Sequence, residues 1–139
     1  MNISAKPLLI DTHILILMIA ASDQLHEKDK KRIQTAVSEN SLYVCTISFW
    51  EIAMLSCSGR LSLGIPLQQW IQEILNISGL HVIDLSIPIL LESVQLPNEC
   101  HKDPADRMII AAARVHDYPL LSYDQKIIHY AELGYLKRG

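Results

Sequence analysis

The chain alternates short, unbroken apolar runs with longer stretches of helical periodicity, the arrangement expected of βαβ units feeding a parallel sheet. Leu8-Leu9-Ile10 is apolar at every position and reads as a strand covered on both faces. Residues 14–21 extend the apolar pattern into a short helix. Residues 25–37, with Lys28, Lys30, Lys31 and Arg32, read as a helix with one solvated side. Residues 42–46 predict the second strand. Just beyond it, Ser48 is placed to cap the next helix, with Glu51 three residues on closing a capping box. After Gly59, Ile65-Pro66 leads into a helix over residues 67–77, ended by Gly79, which can take the left-handed conformation. Residues 81–85 predict the third strand and residues 88–94 a short helix. Asp103-Pro104 is a strong helix start, because Asp can cap free N–H groups and Pro is tolerated in the first turn. That helix should run to about Val115. Residues 119–122 predict the fourth strand, Asp124 caps a last helix through Tyr130, and residues 135–137 carry a weak signal for a fifth, edge strand.

Composition narrows the class. A chain of 139 residues that is 50% hydrophobic suits a single domain over residues 1–139, able to bury about two thirds of its unfolded surface. Twelve Lys and Arg against 15 Asp and Glu give no general electrostatic footprint for nucleic acid, so a polyanion would have to be met locally. Cys45, Cys57 and Cys100 leave one thiol over from any disulfide scheme and point to a reducing, cytoplasmic setting. Cys100 adjoins His101, yet no second Cys or His stands at zinc-ligand spacing from them. The N-terminus imitates a secretory leader, but Asp11 and His13 interrupt its apolar run, which is also shorter than a bilayer span.

Four carboxylates then change the picture. Asp11 closes the first strand, Glu51 lies in the helix after the second, Asp106 lies one turn into the helix opened by Asp103, and Asp124 follows the fourth strand. In an open parallel sheet all of these fall at the carboxyl edge, where ligands collect. Ionised carboxylates about 4 Å apart repel by about 4 kcal/mol per pair at an effective dielectric of about 20. Such a cluster calls for a cation or for protons. Taken singly, each acid has a plainer role: Asp103 and Asp124 as N-caps, Glu51 in a capping box, Asp11 at a turn. Asp106 resists that reading, since Asp103 already caps. The six histidines show no ligand spacing, Ser48 and Ser122 lie in no nucleophile elbow, and no Gly-rich phosphate loop exists.

The segments Leu8-Leu9-Ile10-Asp11-Thr12-His13, Ile47-Ser48-Phe49-Trp50-Glu51-Ile52-Ala53, Gly59-Arg60-Leu61, His101-Lys102-Asp103-Pro104-Ala105-Asp106-Arg107 and Leu121-Ser122-Tyr123-Asp124 resemble, in order and over nearly the whole chain, the PIN-domain ribonucleases, and among them the VapC-like toxins of bacterial toxin–antitoxin pairs. The resemblance implies a three-layer α/β/α PIN-like fold with a central parallel sheet of four to five strands. It implies that Asp11, Glu51, Asp106 and Asp124 hold Mg²⁺ or Mn²⁺, with Thr12, Ser48, Asp103 and Ser122 supporting them, Ser122 in the hydroxyl position beside the first aspartate. Arg60, Lys102 and Arg107 are the expected phosphate contacts, Arg107 equally being a structural partner for an acidic neighbour. RNA, with tRNA as a structured example, is the implied substrate, and a small antitoxin the implied inhibitor. Where many relatives carry Lys, this chain has Leu55.

Hard oxygen ligands suit Mg²⁺ or Mn²⁺, and hydrolysis of an RNA phosphodiester by one or two such ions is the expected reaction. Two rivals stand beside it: a phospho-acceptor receiver domain, which would want an adjacent acidic pair where this chain has Asp11-Thr12, and a PIN-fold binding module with weak activity. Apolar helix faces bearing Trp50, Met54 and Trp70, with residues 15–19, predict a homodimer.

Overall fold

The computed structural model describes residues 6–98 and 102–139; Cys100 and His101, weighed above as metal ligands and motif residues, lie outside them. Strand β1 (Leu8–Ile10) is followed by helices α1 (Thr12–Ile19) and α2 (Glu27–Ser38), and β2 (Leu42–Cys45) by α3 (Thr46–Cys57) and α4 (Leu67–Leu75). Strand β3 (Leu80–Ile83) then leads to α5 (Ile87–Val94) and α6 (Pro104–His116), and β4 (Leu120–Leu121) to α7 (Gln125–Glu132). The strands pair in parallel in the order β3-β2-β1-β4.

Strand alternation divides the core in two. Leu8, Ile10, Leu42, Val44 and Leu121 pack with Ile14 and Leu15 of α1, Ile33 of α2, Ile52 of α3, and Trp70 and Ile74 of α4. Leu9, Cys45, Ile83 and Leu120 face Ile89 of α5, Ile109 and Ile110 of α6, and Ile127 and Tyr130 of α7. Two helical layers thus sandwich the sheet, and this explains why β1 has no polar position. Chain order matters for function: the path builds outward from β1 through β2 to β3, then returns to lay β4 on the other flank of β1. That reversal opens a crevice at the carboxyl ends of β1 and β4.

Four sequence expectations need correction. The capping box does not form. Helix α3 starts directly from β2, Cys45 occupies its N-cap without a side-chain bond, and Ser48 is fully buried inside the first turn. Helix α4 ends at Leu75, capped by Asn76. Gly79 instead serves the turn into β3, with φ +93° and Val37 O only 2.1 Å from where a Cβ would stand. Among the described residues the sheet has four strands. The C-terminal segment reaches β4 through one bridge, Leu120 to Arg138, because Leu120 exchanges bonds only with Lys137 O (2.9 Å) and Gly139 N (2.8 Å). Finally, Trp70, Leu15 and Leu17 belong to the core, Trp70 being 6% exposed, and leave Trp50 (54%) and Met54 (51%) as the exposed part of the expected apolar face.

Candidate metal centre

Asp11 is the deepest of the acids, 5% exposed. It stands at the N-cap of α1, where one carboxylate oxygen accepts from Ile14 N at 2.9 Å. The Ser122 hydroxyl also bonds its carboxylate and accepts from Asp124 N at 3.1 Å, which links the end of β1 to the end of β4. Asp124 in turn caps α7 through Lys126 N (2.8 Å) and Ile127 N (3.2 Å). Both aspartates therefore combine capping with a position on the crevice, since a carboxylate has lone pairs for both.

The third wall comes from α3. Thr12 Oγ1 bonds Glu51 Oε1 and lies 2.8 Å from Ser48 Oγ. Thr12 has one proton to give; spent on the carboxylate, it leaves the Ser48 proton to make the second bond. Ser48 has no cap to serve and acts from the core as the brace behind Thr12. The fourth wall is α6, whose N-cap Asp103 accepts from Asp106 N at 3.1 Å.

Asp11, Glu51, Asp106 and Asp124 line one cleft of about 350 Å³ together with Thr12, His13, Ile16, Leu55 and Tyr123. Three carboxylates converge most closely: one oxygen each from Glu51, Asp103 and Asp106, all within 4.8 Å of one another. Asp103 is thus nearer to the Glu51–Asp106 pair than a capping role requires. Two oxygens opposite each other on one Mg²⁺ are about 4.2 Å apart, from bonds of about 2.1 Å. Neighbouring oxygens on such an ion are about 3.0 Å apart, so side-chain rotation that draws the three together by up to about 2 Å would seat it, and the donor set, all oxygen, suits a hard cation.

Protonation reflects the crowding. Burial pushes the Asp11 carboxyl up, against the lowering effect of its bonds from Ser122 and Ile14. Glu51 is pushed up by burial and further by the charges of Asp103 and Asp11, with Thr12 opposing. A cation would reverse both tendencies. Among the described residues no cysteine lines the cleft: the buried Cys45, its thiol pushed up to about 12 by desolvation, packs on the opposite face of the sheet from α1.

The expected phosphate contacts are more dispersed. Arg60 is exposed just past α3 and Lys102 exposed just before α6, neither on the cleft wall. Arg107 Nε donates to Ser93 O at 2.9 Å, which ties α6 to α5. Sequence reasoning passed over His13, Ile16 and Tyr123. Ile16 lies three residues from His13 and four from Thr12, so it shares a helical face with each. Tyr123, between two residues already singled out, had no signal beyond adjacency.

The model of the PIN domain family matches residues 8–133 of this chain. The chain belongs to the PIN domain family. Over 119 residues it is 29% identical to Ribonuclease VapC22 of Mycobacterium tuberculosis (strain ATCC 25618 / H37Rv), covering 86% of this chain and 88% of that protein. Its fold is similar to that of DNA-bound VapBC from Salmonella typhimurium, with a TM-score of 0.66, 17% identity, and 96% and 97% of the two chains covered. A toxin–antitoxin complex from Klebsiella pneumoniae superposes with a TM-score of 0.58 at 22% identity, over 85% and 87%.

Proposed function

We propose that this chain is a metal-dependent endoribonuclease toxin, held inactive by a cognate antitoxin, with residues 1–139 acting as one domain. The observation that carries the reading is the meeting of four separately encoded carboxylates on one cleft at the switch point of the sheet. The similarity to a protein named as a ribonuclease supports it. Asp11, Glu51, Asp106 and Asp124 would hold Mg²⁺ or Mn²⁺, with Asp103 near enough to contribute. When bound, such an ion supplies charge neutralisation for a phosphate and activation of water for hydrolysis. The chain's own residues do the rest. Asp11 and Ser122 lock the crevice edges at fixed spacing, and Thr12 with Ser48 holds Glu51 in one rotamer. His13, on the cleft wall, would meet the substrate, while Arg60 and Lys102, off that wall, would contact phosphates of RNA that extends past it. The apolar wall of Ile16 and Leu55 excludes water on one side.

Structured RNA such as tRNA is the substrate class of this reading. An antitoxin segment with an Arg directed at the carboxylates would replace the ion's charge by bidentate bonds. Two copies of the chain would associate through exposed apolar side chains, Trp50 and Met54 on α3 being candidates with Ile87, Leu91 and Val94 on α5.

Expression of the chain alone in a bacterial host tests the function directly. Wild type should arrest growth, Asp11→Asn should relieve the arrest, and the purified protein should cut cellular RNA with Mn²⁺ but not with EDTA. A harmless wild-type chain that cuts no RNA with Mn²⁺ would leave only a binding role.

A further inference from the structure

Helix α2 separates its charges by face. Asp29, Ile33 and Ala36 are buried, whereas Lys28, Lys31, Arg32 and Thr35 recur at the three- and four-residue spacing that makes one stripe. With Lys6, from the segment entering β1, and Glu39, at the C-cap of α2, this stripe lines a groove of about 470 Å³. Four of the chain's 12 lysines and arginines gather here against the single carboxylate of Glu39, although the molecule carries a formal net charge of −3. Lys30, on another face, is paired with Glu27; no ion pair among the described residues engages Lys28, Lys31 or Arg32. Like charges at this spacing destabilise a helix. A bound polyanion would offset that repulsion.

Both ends of the groove are anchored. At the first, His26 N donates to the Tyr123 hydroxyl at 3.0 Å, and that hydroxyl donates to Asp29 Oδ2 at 2.6 Å; Tyr123 itself lines the acidic cleft. At the other, the Ser41 hydroxyl lies 3.1 Å from Lys6 O and 3.2 Å from Ala36 O, which holds the strand-entry segment against the last turn of α2. The cationic stripe therefore starts beside the rim of the cleft and leads away from it.

We infer that this groove is a second RNA contact, holding backbone phosphates of substrate beyond the point of cleavage; the inference rests on the ribonuclease reading. The 12 residues of α2 span about 18 Å, room for several consecutive phosphates of one strand. RNA confined to the cleft does not reach it. Lys and Arg on phosphates add affinity and salt dependence without reading bases, so the groove acts on any RNA long enough to follow it.

The experiment uses the full chain and the triple variant Lys28→Gln/Lys31→Gln/Arg32→Gln, with circular dichroism confirming that both are folded. Fluorescence anisotropy in EDTA measures binding of labelled mixed-sequence RNAs of four and twenty nucleotides. Cleavage of total cellular RNA with Mn²⁺ runs in parallel. The variant should bind the longer RNA about tenfold more weakly, with a log–log salt slope shallower by about 2, and should differ much less from wild type on the shorter one. Equal affinity and slope for the two proteins on the longer RNA would overturn the groove while leaving the ribonuclease reading standing. So would a variant impaired only in capturing its antitoxin, which would mark a protein site. A wild type that binds the longer RNA through the groove but cuts nothing would overturn the ribonuclease reading, and with it the groove's role toward a substrate.

Discussion

Replacing Asp106 by Asn removes one charge from the crowded end of the cleft while keeping volume and an acceptor oxygen. Oxygens of Glu51, Asp103 and Asp106 lie within 4.8 Å of one another. Unit charges at that spacing repel by about 3.5 kcal/mol at an effective dielectric of about 20 and by about 1 kcal/mol in bulk water. Asp103 is exposed and the other two are half-buried, so solvent brings each pair close to the lower value. Asp106→Asn eliminates the repulsion that Asp106 shares with Glu51 and with Asp103. With the amide oxygen kept as an acceptor for the partner that the Asp106 carboxylate has, relief of that repulsion should raise metal-free stability by at most about 2 kcal/mol, roughly 7 °C in Tm for a chain of this length. A bound ion inverts the order. Wild type gains Tm with Mn²⁺ by mass action, about 2.7 kcal/mol at a hundredfold excess over Kd, and the variant gains much less. Thermal melts by circular dichroism, with EDTA and with Mn²⁺, read both effects, and cleavage of RNA by the same samples should be lost in the variant. The reasoning fails if metal-free Asp106→Asn melts below wild type, if Mn²⁺ leaves wild type unmoved, or if the variant still cuts RNA normally.

Three further outcomes follow from the same geometry. The carboxyls of Asp11 and Glu51 are raised above their ordinary 3.8 and 4.5, so the folded chain keeps protons that the unfolded chain releases; their contribution is intact below those ordinary values and is lost as pH climbs through the raised ones. In EDTA, the stability advantage of Asp11→Asn/Glu51→Gln over wild type should grow in urea titrations as pH rises from the ordinary value of 3.8 through the raised ones, and a gap that stays constant from there to neutral pH would contradict this. Ser122→Ala takes from Asp11 and from Asp124 N their shared partner, so the Mn²⁺ needed for half-maximal cleavage should rise at least tenfold; an unchanged requirement would remove Ser122 from the site. Tyr123→Phe leaves the buried Asp29 and His26 N without that hydroxyl and should cost about 1–3 kcal/mol, with faster hydrogen exchange confined to α2 and its neighbours as the local signature.

Much of this protein could be read from the order of its residues. Period and composition settled that Leu8-Leu9-Ile10 is an interior strand, because a segment apolar at every position is stable only when both faces are covered. The caps of Asp103 and Asp124 were legible for a similar reason: capping is local chemistry within three residues. What local chemistry could not decide was which role wins where two compete. Glu51 and Ser48 had the spacing of a capping box, yet α3 begins at the last residue of β2, so Ser48 turns into the core and Glu51 meets Thr12, 39 positions away. The convergence of Asp103 on Glu51 and Asp106, the reach of Tyr123 to α2, and the burial of Trp70 all join residues far apart in the chain. Their placement depends on the order of strands in the sheet and on which helix covers which face. Those are properties of packing, and they were decided only when the two apolar layers closed over β1.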